Sequence, residues 1–351
     1  MSAKTQTQRA LLLKEIKKPL VLSEWPIPQP GPSQIQIKVS VAGVNPSDQR
    51  FRDTGLLIGD KLPHILAADV VGVVTALGSN VSTFSVGDRV VSQAVVVDGT
   101  QCGFQEYAVF DADYAAEVPE SFSDDDAAEL PTNVVTGAVA LFGSKELALP
   151  APWGQGNGKA DLEGVTLLII GGGSNCGRFG VQLAAAAGIG RIVVLGGDET
   201  ELKSWGATEV LNRHGSDDEV VARIRKVVGD ELLYVYDAVN FPDKLHIAIN
   251  ALSNSKKGKV ARLIPMGVPD EGKINVKEAG YEMLDVLGYP RVRQEVGKEF
   301  WAHLPQLLQD GRIKPTKSVV VEEGLNADKA NAVLDAYKEG KKVVKTHFHN
   351  N

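Results

Sequence analysis

The chain of 351 residues holds only two cysteines, Cys102 and Cys176. Two thiols cannot build a four-cysteine zinc site or a disulfide framework, so a reduced, cytoplasmic setting is expected. Positive charge is also short: 37 Lys and Arg stand against 44 Asp and Glu, a net charge of −7. That balance offers no basic footprint for nucleic acid or an anionic membrane, and neither is expected as a partner. Long apolar runs are missing as well. The opening "MSAKTQTQRALLLKEIKKPL" has three leucines together, too few for a secretory signal. No apolar stretch reaches the roughly 20 residues that span a bilayer.

What is present suits a two-domain globular protein. From residue 9 to about 118 the chain reads as short strands: "ALLL", "PLVLSE", "QIQIKVSVAGV", "DVVGVVTAL", "DRVVSQAVVV" and "FQEYAVF" alternate or run apolar between turn residues. No long helical period interrupts them. At "SDDDAAELPTNVVTGAVALFG" the period changes, with Ser123 and three acids marking a helix start. "PAPWGQGNGKA" (150–160) reads as a loop-like insertion. Beyond residue 164 strands and helices alternate, which implies a doubly wound parallel sheet with helices on both faces. The tail ends as strand, helix, strand, able to return to the first domain. The expected layout is a β-rich domain over 1–130 and 300–351 with a nucleotide-type domain, 131–299, inserted in it.

The stretch 166–197, "TLLIIGGGSNCGRFGVQLAAAAGIGRIVVLGG", carries the strongest motif. Gly171, Gly172 and Gly173 follow an apolar strand directly, and Gly177 lies one turn into a helix. In a dinucleotide turn such glycines permit a tight reversal and let the pyrophosphate approach the helix N-terminus, whose N–H groups and dipole favour anions. The spacing departs from G-x-G-x-x-G: with Gly172 first and Gly177 last, Ser174 takes the middle place. A glycine cluster alone would equally suit a plain tight turn; its place between strand and helix in an alternating domain favours cofactor binding by Gly172, Gly173, Ser174, Asn175, Cys176 and Gly177.

An acid about 20 residues beyond the turn would hold the adenosine ribose hydroxyls and repel a 2′-phosphate. The end of the second strand instead carries Gly196 and Gly197, followed by Asp198. Room at two glycines, with Lys203 and Arg213 nearby in sequence, favours NADPH over NADH. Ordinary solvent exposure is the alternative for both cations.

As a whole the chain resembles the medium-chain dehydrogenase/reductase superfamily. The resemblance runs through "VAGVNPSDQR" (41–50), "GVVTALGSNVSTFSVGDRV" (72–90), "GFQEYAVF" (103–110), "AAELPTNVVTGAVAL" (127–141), the glycine turn, "YVYDAV" (234–239) and "LPQLLQDGRIKP" (304–315). It implies an α/β fold, a Rossmann doubly wound sheet inserted in a β-rich GroES-like catalytic domain. "NPSD" after "AGV" is similar to zinc-independent quinone oxidoreductases and to trans-acting enoyl reductases of fungal polyketide pathways. Zinc-dependent relatives supply a Cys where this chain has Asn45 and a His-Glu pair where it has Ala68-Asp69. Those ligands are missing, as is the four-cysteine loop of a structural zinc, so no metal is expected.

Without a Lewis acid, hydride delivery to an activated carbon becomes the expected chemistry: the β-carbon of an enone or enoyl thioester, or a quinone. The resemblance implies Asn45 and Thr136 as catalytic candidates, with turn formation and packing as their alternatives, and Asn133 as a lesser one. Asp48 and Arg50 read better as an ion pair or helix cap. Met266 and Gly267, after "KVARLIP", lie where relatives pass backbone near the nicotinamide. Tyr236 and Tyr289 read as core or surface packing residues, with a place facing the cleft as the alternative, and His64 reads as a surface or hydrogen-bonded residue. Some relatives place a proton-donating tyrosine just past "NPSD"; "RFRDTGLLIGDKLP" has none. A small-molecule substrate and a monomer or homodimer are implied. A carbonyl reductase or alcohol dehydrogenase-like enzyme, and a non-catalytic nucleotide-binding protein, are the alternative functions.

Overall fold

The computed structural model describes residues 6–153, 161–264 and 267–350. The chain divides into two compact units, Met1–Thr132 with Pro315–Asn351, and Asn133–Lys314.

In the second unit six strands form one parallel sheet: Thr166–Ile170, Arg191–Leu195, Glu209–Leu211, Tyr234–Asp237, Gly258–Arg262 and Tyr281–Asp285. Side by side they run third, second, first, fourth, fifth, sixth. The chain therefore reverses its direction of growth between the first and fourth strands, which is where ligands gather in such sheets. Because successive side chains point to opposite faces, the apolar runs serve two layers. Leu168, Ile170, Val193, Leu195, Val235 and Val260 join Val220, Ile224 and Ile249, from the helices Asp217–Val228 and His246–Ala251, in one buried cluster. The doubly wound sheet expected from the alternating pattern is present.

The boundaries differ from the sequence-based expectation at the tail end. Residues 300–314, grouped there with the first domain, fall in the second unit. Aromatic packing explains it: in the helix Gln294–Gln309 the Phe300 ring lies 5.8 Å edge-on from Trp153, itself 5.3 Å from Phe142. Arg293 adds an ion pair to buried Glu146 at 2.6 Å. Residues 154–160 of the loop-like insertion lie outside the described residues.

The first unit is built on the long strand Gln34–Val44. It pairs antiparallel with Asp69–Leu77, with Tyr107–Asp111, and with the C-terminal strand Lys345–His349. The tail thus returns to this unit. Ser318–Val321 runs parallel beside Lys345–His349, and the helix Ala327–Lys338 connects them. One element of this unit is absent from the strand-by-strand reading: Pro46–Thr54 is a helix. Its start was encoded in Asn45, Pro46 at the first turn and Asp48, whose Oδ2 accepts the Asn45 N–H at 2.8 Å. Arg52 of this helix is buried and pairs with Asp53 at 2.8 Å and with Asp335 of the C-terminal helix at 2.7 Å. Among the described residues no helix is long and apolar enough to cross a membrane.

Candidate functional site

The glycine turn closes at the end of the strand Thr166–Ile170. Gly171 takes φ 91°, a conformation that glycine adopts without a Cβ penalty. A Cβ on Gly172 would stand 2.3 Å from Val194 Cγ1 and 2.5 Å from the Gly196 carbonyl oxygen, and one on Gly177 would stand 2.2 Å from the Gly171 carbonyl oxygen. The backbone of turn and helix is therefore packed closer than any side chain allows. Ser174, at the middle place, needs no glycine: at φ −83° and ψ 154° it is the N-cap of the helix Asn175–Ala187. Its Oγ accepts the Gly177 N–H at 3.0 Å and donates to the Gly171 carbonyl at 2.8 Å, pinning the reversal from inside. Cys176 places its Sγ 3.4 Å from Asn133 Oδ1, and Asn175 Oδ1 accepts from Arg178 at 3.3 Å.

Next to this turn lies the end of the second strand. Gly196 and Gly197 both have positive φ, 77° and 103°. A Cβ on Gly197 would meet the Gly172 and Gly173 backbone at 2.8–2.9 Å, so the two glycine pairs face each other. Asp198 is drawn away from this space; its carboxylate caps the following helix, accepting the Glu201 N–H at 2.8 Å. Lys203 pairs with Glu199 at 2.7 Å with its side chain 50% exposed. Arg213 lies across Gly196, its Cδ 3.0 Å from where a Cβ there would stand, and has no hydrogen-bond or ion-pair partner among the described residues.

At the carboxyl end of the fifth strand Gly267 takes φ 77°, and its carbonyl accepts from Arg262 at 2.9 Å. Arg262, buried, is held in turn by Asp285 at 2.5 Å. Met266 lies outside the described residues. Asp237, buried at the end of the fourth strand, has its carboxyl pushed up to about 6 by burial, against three hydrogen bonds from Val239 and Asn240. Thr136, 8% exposed in the helix Pro131–Phe142, packs on Gly288, where a Cβ would overlap its Oγ1 at 1.9 Å. Tyr236 is fully buried core, and His64 is buried with Nε2 2.6 Å from the Val96 carbonyl oxygen.

In the first unit Asn45 sits in a buried polar cluster that sequence reasoning did not anticipate. Its Nδ2 donates to Asp69 Oδ2 at 2.8 Å and lies 3.4 Å from Thr132 Oγ1, while its Oδ1 accepts from Lys345 Nζ at 2.9 Å. Lys345 Nζ also binds Asp69 Oδ2, with side-chain exposures of 2% and 0%. Asp69 Oδ1 takes the Thr132 N–H at 2.8 Å and its hydroxyl at 2.5 Å, so this carboxylate holds the first turn of the Thr136 helix. Asp48, also buried, accepts the N–H groups of Asn45 and Ala67; burial outweighs both and raises its carboxyl to about 7. Burial likewise raises Glu129, which accepts from Thr316 at 2.6 Å and has buried His347 3.6 Å away. The sequence signal for this cluster was "KTHFH": Lys345, His347 and His349 alternate, hence share one face of a strand.

Two family models match the chain, the alcohol dehydrogenase GroES-like domain over residues 31–120 and the zinc-binding dehydrogenase over residues 176–305. Among relatives, dehydrogenase orsE of Emericella nidulans is 32% identical over 286 residues, 77% of this chain and 81% of that protein. Trans-enoyl reductase himH of Aspergillus japonicus is 30% identical, covering 84% and 85%. The solved structure of the quinone oxidoreductase from Coxiella burnetii superposes with a TM-score of 0.73 at 22% identity, covering 99% of this chain and 100% of that one. The zinc named by the second model meets an unsuitable donor set here. A catalytic zinc takes three Cys, His or carboxylate ligands, whereas Asn45 and Ala68 supply none and Asp69 already carries an ammonium group. Among the described residues no group of three or more His, Cys, Asp or Glu could hold a metal ion. With both family models matched in order along an α/β chain of two units, and with fungal relatives at 30% identity or more over most of both chains, the protein belongs to the medium-chain dehydrogenase/reductase superfamily.

Proposed function

We propose that the protein is a metal-independent reductase that uses NADPH to reduce an activated C=C bond, in an enone or enoyl thioester, or a quinone. The observation that carries the metal-free reading is the Lys345 ammonium bound to both Asp69 and Asn45. A cation fixed to the backbone takes the carboxylate that a metal would need. Bound NADPH would supply a hydride from its nicotinamide ring. The chain's own contribution is to bind, orient and exclude water. The bare backbone of Gly172, Gly173 and Gly177, with Ser174, Asn175 and Cys176 opening the helix, would receive the pyrophosphate. Arg213 over Gly196 would meet the 2′-phosphate, with Lys203 a weaker contributor because Glu199 shares its charge. Gly267 would pass backbone by the nicotinamide. Asn45 in the first unit and Thr136 in the second are each proposed as catalytic residues. A cytoplasmic monomer or homodimer fits this reading.

The test is NADPH deuterated at the transferable position of C4, given to the enzyme with a panel of enones, an enoyl thioester, quinones and aldehydes. Deuterium on the β-carbon of a saturated product is the expected result for an enone or enoyl thioester, and a hydroquinone that has lost the label to water is the expected result for a quinone. Deuterium on a carbinol carbon with the alkene intact would make the protein a carbonyl reductase, and tight NADPH binding without transfer to any acceptor would make it non-catalytic.

A further inference from the structure

We propose that Lys345 is a positioning residue for the reaction, setting the direction of the Asn45 amide and holding the first turn of the helix that carries Thr136. The inference rests on the reductase reading, in which Asn45 and Thr136 serve the reaction. An asparagine amide is nearly symmetrical in shape, and what it offers a substrate depends on which end points where. Here two opposite charges decide. The ammonium of Lys345 donates to Oδ1 at 2.9 Å and the Asp69 carboxylate accepts from Nδ2 at 2.8 Å. Rotating the amide by half a turn would set its NH2 against an ammonium and its oxygen against a carboxylate, two repulsive contacts where nothing is exposed enough for water to screen them.

The same lysine reaches the helix through one intermediate. Asp69 spends Oδ2 on Lys345 and Asn45, and Oδ1 on the N–H and hydroxyl of Thr132, and Thr136 follows one turn later. A carboxylate at a helix start satisfies donors that have no partner in the helix and complements its dipole. In this fully buried place its partner is the Lys345 ammonium, so neither group faces the other segments alone. Asn45, Asp69 and Thr132 come from separate segments of the first 132 residues, and Lys345 arrives 300 residues after Asn45, on the returning strand. The C-terminal strand therefore completes this cluster.

The contrary reading is that Lys345 only neutralises Asp69 and keeps the fold intact. Comparing Lys345→Met, Lys345→Arg and the double variant Asp69→Asn/Lys345→Met separates the two. In the double variant the carboxylate and the ammonium are both gone. The amide introduced at position 69 has one oxygen; with that oxygen kept on the Thr132 N–H, its NH2 faces Asn45 and can donate there only if the Asn45 amide has turned over, so the fold is satisfied with that amide reversed. Melting temperature, NADPH dissociation constant and kcat per NADPH-binding molecule are measured for each. The expected result is a melting temperature in the double variant close to wild type, an unchanged NADPH constant, and kcat lower by about tenfold or more. Lys345→Arg, which keeps a donor cation, should lie nearer wild type than either variant lacking it. A double variant that regains wild-type kcat together with wild-type stability would overturn the inference. So would Lys345→Met with normal kcat per NADPH-binding molecule. A wild-type protein that reduces no acceptor would instead remove the reductase reading, before any variant is compared.

Discussion

Gly177→Val loses NADPH binding, with the dissociation constant raised by at least about 100-fold, the order of effect expected when the phosphate-binding backbone is displaced. A first side-chain carbon at 177 would stand 2.2 Å from the Gly171 carbonyl oxygen and 2.8 Å from its carbon. Both are backbone atoms of the turn itself, so no rotamer change relieves the overlap. Either the helix Asn175–Ala187 slides away from the strand end or the turn opens, and both break the Ser174 Oγ bonds to Gly177 N–H and Gly171 O. The N–H groups proposed to receive the pyrophosphate move with them. Overpacking of this kind also costs roughly 1–3 kcal/mol of stability. Gly164→Ala is the control, because a Cβ there meets nothing within 4 Å. Titration of NADPH fluorescence, with thermal melting of both variants, measures the effect. An unchanged dissociation constant in a folded Gly177→Val protein would mean that the cofactor does not use this turn.

Arg213→Glu moves cofactor preference from NADPH toward NADH. A charge-assisted bond to phosphate contributes about 1.5–3 kcal/mol, hence roughly a 10- to 100-fold rise in the NADPH constant, and the new carboxylate adds repulsion. NADH lacks the phosphate and should bind as before or tighter. The neighbouring groups leave Arg213 this task. Gly196 and Gly197 offer no side chain, Asp198 is occupied by the Glu201 N–H, and Lys203 is occupied by Glu199. Lys203→Met should therefore change the NADPH constant much less. Measured constants for both cofactors on both variants decide it; an Arg213→Glu protein with wild-type preference would return this arginine to ordinary surface.

The glycine turn was legible because strand, reversal and helix start all lie within 166–197, and each leaves a local mark in the sequence. Ser174 looked like a defect in that motif. The structure explains it as a cap, which needs an oxygen and extended backbone rather than positive φ. The ion pair Glu199–Lys203 was also local, at the spacing of one helical turn, and reading it would have directed attention to Arg213. The helix Pro46–Thr54 was hidden by its shortness and by the charged "DQRFRD", which carries little apolar period. Trp153 and Phe300 meet across about 150 intervening residues, so the return boundary at 314 had no local signature. The Asn45 cluster is the extreme case. Asp69 and Lys345 are 276 residues apart, and only the pairing of the last strand with Gln34–Val44 brings an ammonium to the carboxylate. Individual residues there could be flagged by type, but their mutual satisfaction could not.

The most direct measurement is the rate of NADPH oxidation with a panel of enones, an enoyl thioester and quinones, repeated after exhaustive treatment with a chelator and again with NADH. A metal-independent NADPH reductase gives the same rate with and without chelator and a lower one with NADH. Loss of turnover with the chelator, restored by zinc, would contradict the account at its centre: a metal would then be held despite Asn45, Ala68 and the Lys345-bound Asp69.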